Sequence, residues 1–152
     1  MTTWGKRALG IVLFGAAIGV GSELRSLAMP YQDPPTAIPG WTLAGPAACG
    51  KSIPPDAHSW RGVATARRVC RAEYGGQPAM RLTLFDLPGY PAGGGAFDAW
   101  QKWPPNQPGK IGFFVGRFFG VAESPGADRA TLDRFAVEVG KALSGGELGG
   151  RW

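Results

Sequence analysis

The stretch VATARRVCRAEYGGQPAMRLTLFDL, residues 63–87, decides the fold. Over 63–74, Ala64, Ala66, Cys70, Ala72 and Tyr74 fall on one parity, and Thr65, Arg67, Val69, Arg71 and Glu73 on the other; Arg68 breaks the first set. Strand side chains alternate between faces, so this period of two predicts a half-buried strand. Gly75-Gly76-Gln77-Pro78 predicts a turn, because glycine and proline supply the dihedrals that tight reversals need. Residues 80–87 predict a second strand, with Leu82 and Leu84 inward and Arg81 and Thr83 outward. Together they read as an antiparallel hairpin.

Toward the C-terminus, residues 88–95 break regular structure, and 96–103 predict a short helix. Phe97, Trp100 and Trp103 are spaced three apart and share a broad helical face, which Pro104-Pro105 ends. Residues 110–123 carry Phe113, Phe114, Val115, Phe118, Phe119 and Val121 around Gly116-Arg117. They predict one strand or a tight hairpin, buried on both faces or against a helix. Gly112, Gly116 and Gly120 recur every fourth residue, a spacing that close-packs membrane helices. The run is short and contains Arg117, so a twisted or bulged strand is the better reading. Asp128 then caps a helix. Leu132, Phe135, Ala136, Val139 and Leu143 form its apolar stripe, and Ser144-Gly145-Gly146 ends it. Residues 144–152 read as a flexible tail.

Toward the N-terminus, residues 52–60 form a proline-bearing loop, and Trp41 and Leu43 are the first apolar anchors of a domain over 41–143. Before it, 30–40 hold four prolines in eleven residues, so 29–40 read as a stiff linker. Lys6 and Arg7 precede an apolar stretch over 8–21 that includes Leu9, Ile11, Val12, Leu13, Phe14, Ile18 and Val20. This is a signal-peptide length, short of the ~20 residues that cross a bilayer as a helix. Ser26-Leu27-Ala28 places small residues where a signal peptidase reads. Residues 1–28 are therefore a cleaved signal peptide or an uncleaved hydrophobic anchor helix. A buried helix of a soluble protein would need a larger core than this chain builds. The first two readings place the domain in the periplasm or at the outer face of the cytoplasmic membrane.

The chain's 152 residues suit one domain, and its 44% apolar and 18% charged content exclude wholesale disorder. The net charge of +5 divides into +2 over the first 28 residues and +3 over the rest. So even a balance argues against nucleic acid, which needs a concentrated basic surface.

Cys49 and Cys70 are the only cysteines, and in an exported chain they predict a disulfide. With His58 the single histidine, they supply at most three metal ligands, so no metal and no cofactor is expected. Gly45-Pro46-Ala47-Ala48-Cys49-Gly50-Lys51-Ser52 matches the G-x-x-x-x-G-K-S spacing of a phosphate loop. That motif must open a helix, and Ile53-Pro54-Pro55 forbids one directly after Ser52. Gly45, Gly50, Lys51 and Ser52 are therefore rejected as a nucleotide site. Asp56, His58 and Ser59 set an acid, a base and a hydroxyl within four residues, the basis for a small exported hydrolase as an alternative. Triads, however, assemble from separate segments. Arg67 and Arg71 share a strand face that could meet an anionic ligand or lipid headgroups. Trp100 and Trp103 could line an aromatic groove.

Gly40-Trp41, the strand ending at Tyr74, the alternating leucines, Ala96 to Trp100, Gly116 to Phe119 and the terminal Leu-x-x-Phe-Ala helix together resemble a group of exported bacterial domains of unknown function. More distantly, the layout is similar to the PsbP/Mog1 type. The resemblance implies an antiparallel sheet with helices packed on it and transfers no catalytic residue. The expected fold is α+β: about four or five antiparallel strands covered by a short helix and an amphipathic C-terminal helix, behind an N-terminal hydrophobic helix. The expected function is a non-enzymatic exported binding or accessory domain. The alternatives are a membrane-complex subunit held by uncleaved residues 1–28, and the His58 hydrolase.

Overall fold

The computed structural model describes residues 31–51, 65–88, 97, 107–144 and 150–151. The expected hairpin is its centre. β4 (Arg68–Gly76) pairs antiparallel with β5 (Met80–Asp86) from Arg68↔Asp86 to Tyr74↔Met80. The predicted parity holds: Cys70, Ala72, Tyr74, Met80, Leu82 and Leu84 are buried on one face. β6 (Lys110–Val115) and β7 (Phe118–Glu123) form a second hairpin, and β7 adds to β5. The two-residue turn Gly116-Arg117 puts Gly116 at φ 55°, the left-handed conformation that tight hairpin turns require at this position. Gly120 faces Phe113, whose ring lies across the space a Cβ would occupy.

On the other side of β4 run β2 (Trp41–Leu43) and β3 (Ala48–Gly50). These are one edge strand with an interruption. Leu43 pairs with Tyr74 and Ala48 with Arg71, so residues 44–47 oppose only Ala72 and Glu73. The two surplus residues, centred on Gly45-Pro46, bulge the edge. Because their number is even, the parity survives, and Trp41, Leu43 and Cys49 all stay on the face of Cys70 and Tyr74. β1 (Ala37–Ile38) closes this edge and β8 (Gly150–Arg151), paired with β6, the other.

The sheet order is β1-β2-β4-β5-β7-β6-β8, with β3 beside β4. This overturns the α+β expectation of four or five strands under two helices. The described residues are mainly an antiparallel sheet, seven strands in a row with β3 at the side, and one helix near the C-terminus packs on it. The miscount has a physical origin. β1, β3 and β8 have two or three residues each, too few to show alternation; of the two readings of 110–123, the tight hairpin is the one observed. Pro34 and Ile38, in the stretch read as a linker, are buried, and Gly150–Arg151 of the presumed tail pair with β6. The N-terminal segment 1–28 lies outside the described residues. So does the short helix expected over 96–103, except for Phe97, which is buried.

The helix α1 (Arg129–Ser144) starts where Asp128 accepts the Thr131 backbone N–H at 2.8 Å. The Thr131 side chain, and after it this backbone bond, hold the Asp128 carboxyl below its usual pKa range. The predicted stripe of Leu132, Phe135, Ala136, Val139 and Leu143 is buried against the sheet. At its centre the Phe135 ring meets Trp41 at 5.2 Å and Tyr74 at 5.3 Å, both edge-on. The polar tips of these partners are satisfied at the surface of the core: Trp41 Nε1–H donates to the Pro78 carbonyl and the Tyr74 hydroxyl to the Pro35 carbonyl, each at 2.8 Å. Burial pushes the Tyr74 hydroxyl well above its ordinary pKa. A smaller cluster of Val69, Phe85, Leu87, Phe97, Phe119 and Val121 covers the opposite face, so β7 is buried on both sides, as its sequence predicts.

Cys49 and Cys70 sit directly opposite one another on β3 and β4 and are joined by a disulfide. It ties the edge beyond the bulge, where β3 has only three paired residues and an exposed surface, to the core. With the cysteines 21 positions apart in sequence, the link is expected to contribute roughly 3 kcal/mol by restricting the unfolded chain. Urea unfolding of oxidised and reduced protein should show that difference. Equal midpoints would mean the bridge restrains nothing.

Candidate functional site

Side chains of opposite charge converge at one end of the sheet, where β4 begins, β5 ends and the β6–β7 turn reverses. Asp86 closes β5 on the inward parity of Leu82 and Leu84, so the strand itself drives a carboxylate into the interior. Arg117, second residue of the turn, meets it with Nε 2.8 Å from Oδ1; their side chains are 7% and 6% exposed. The backbone fixes the pair. The Leu87 N–H donates to the Arg117 carbonyl at 3.1 Å, and the Arg67 N–H to the Asp86 carbonyl at 2.7 Å. The Arg117 guanidinium also lies 4.9 Å from the Phe118 ring centre. Burial pushes the Asp86 carboxyl above its ordinary pKa, while Arg117, Arg67 and Arg68 pull it back.

Outside this buried pair is a layer of half-buried and exposed side chains. Arg68, opposite Asp86 in the ladder, pairs with Asp33 at 2.7 Å. The Tyr31 ring lies 4.9 Å from the Arg67 guanidinium and 5.1 Å from that of Arg68. Lys51 follows Gly50, the partner of Val69, and so continues β3 toward Arg68. Arg71 is exposed two same-face steps beyond Arg67, with the buried Val69 between them. The arrangement can attract and hydrogen-bond an anion at its surface. Asp86 is shielded from substrate by its burial and by its arginine.

Of the residues singled out from sequence, Arg67 and Arg71 belong to this end, and Cys49 and Cys70 form the disulfide. Trp100, Trp103, Ser52 and His58 lie outside the described residues. Gly45 is in the edge bulge and Gly50 in β3, a strand geometry unlike the loop-to-helix turn that cradles phosphate. Among the described residues no three His, Cys, Asp or Glu side chains are grouped to hold a metal, and no helix is long and apolar enough to cross a membrane. Sequence reasoning missed the Asp86–Arg117 pair. Its signals were a carboxylate on an inward parity and a lone arginine between two aromatic pairs; each charge implies a buried partner for the other.

No known family model, curated protein or solved structure matches this chain.

Proposed function

We propose that this chain is an exported, non-enzymatic binding or accessory domain working in the periplasm or at the outer face of the cytoplasmic membrane. The observation that carries the reading is the Cys49–Cys70 disulfide. Such bonds persist in oxidising compartments, and the apolar stretch over 8–21 behind Lys6 and Arg7 supplies a route there. The exposed basic end favours a binding role for an anionic partner. Uncleaved, residues 1–28 would hold the domain at the membrane as a subunit of a larger complex.

Fractionation of native cells, N-terminal sequencing and pull-down from the same sample test this. The expected result is recovery from the periplasmic or membrane fraction, with a mature start at Met29 if the leader is removed. Recovery from the cytosol with Met1 intact contradicts export. A hydrolytic activity abolished by His58→Ala contradicts the non-enzymatic assignment.

A further inference from the structure

We infer that the corner formed by Tyr31, Arg67 and Arg68, with Lys51 and Arg71 beside it, docks on a net-anionic lipid bilayer surface; this deepens, and rests on, the membrane association proposed above. The first support is placement. Tyr31 packs against this corner rather than the opposite end of the sheet. Only nine residues, 22–30, separate it from the apolar stretch over 8–21. Fully extended, they reach about 30 Å at most. A bilayer engaged by that stretch would therefore meet this corner at high effective concentration, and weak contacts would suffice.

The second support is charge. Among the described residues, Lys51, Arg67, Arg68 and Arg71 outnumber the exposed carboxylate at this end, Asp33, which holds Arg68, while Asp86 is buried on Arg117. At the far end the charges close on themselves, Arg81 with Glu73 at 3.3 Å and Lys110 with Glu123 at 3.7 Å. The third is Tyr31, which is 53% exposed and is the one exposed large hydrophobic side chain among the described residues. Tyrosine partitions to the membrane–water interface. Guanidinium groups stacked on its ring present planar donors to headgroup phosphates.

The test places the full chain in lipid nanodiscs of phosphatidylcholine alone or mixed with phosphatidylglycerol and maps arginine modification by phenylglyoxal. Labelling of Arg67 and Arg68 should fall several-fold in the anionic discs, Arg81 and Arg129 should not change, and high salt should remove the protection. Equal labelling in both discs overturns the proposal, as does protection that needs a protein partner and no anionic lipid. If the chain enters neither disc, the anchor reading fails separately, and flotation with free vesicles decides the docking. Binding should then require phosphatidylglycerol and weaken about 100-fold in Lys51→Gln/Arg67→Gln/Arg71→Gln, at about five-fold per basic residue. Binding that ignores phosphatidylglycerol or the triple substitution, or no binding at all, overturns it.

Discussion

Replacing Arg117 with methionine is expected to lower folding stability by about 3–5 kcal/mol, the largest effect of any single charged residue here. Asp86 would remain almost fully buried with no guanidinium 2.8 Å from its oxygen. Arg67 and Arg68 are near enough to influence its charge, but Arg68 is engaged with Asp33 at the surface. The double variant Asp86→Leu/Arg117→Met removes both charges and should recover most of the loss, because a buried ion pair gains little over apolar residues of similar volume. A double-mutant cycle by urea unfolding measures the coupling. The single variant also has a pH signature. Losing Arg117 raises further a carboxyl that burial already raises. The folded state then holds a proton that the unfolded state has released, so the variant should regain stability as pH falls toward about 4. An Arg117→Met protein as stable as wild type at neutral pH would show that the pair is not buried.

Truncating Phe135 to alanine is expected to cost about 3–5 kcal/mol. Its ring is fully buried and joins α1 to two strands at once, through Trp41 on β2 and Tyr74 on β4. The cavity would open where the edge strand, the central hairpin and the helix meet, and the edge-on ring contacts would go with it. Arg134 provides the contrast on the same helix. Its guanidinium lies 5.0 Å from the Trp41 ring centre, yet it is exposed, so Arg134→Ala should lose only about 0.5–1 kcal/mol. Circular dichroism during urea unfolding separates the two. Similar losses would place the weight of the node on Trp41's outer surface instead of its contact with Phe135.

These two effects also mark what a reader of the sequence can and cannot extract. The Phe135 stripe and the β4–β5 parity are legible because long elements repeat their period several times. The edge strand is not legible, because Trp41–Leu43 and Ala48–Gly50 are each shorter than two full alternations and are separated by a bulge. The extra strands were hidden there and in the two-residue β1 and β8. The site was half legible. Arg67 and Arg71 stand out as local charge, whereas Asp86 and Arg117 become partners only once β5 and β7 lie side by side. Asp33 and Tyr31 lie in a proline-rich stretch whose composition suggests a free linker, and only the tertiary fold brings them to Arg67 and Arg68.

The proposed export ties the bridged edge strand, the apolar stretch over 8–21 and the basic corner into one account. The most direct measurement is the intact mass of native protein, trapped with an alkylating agent at lysis, in each cell fraction. The account predicts unalkylated Cys49 and Cys70, joined to each other, in the envelope fraction. Two alkylated thiols on a cytosolic chain would contradict it.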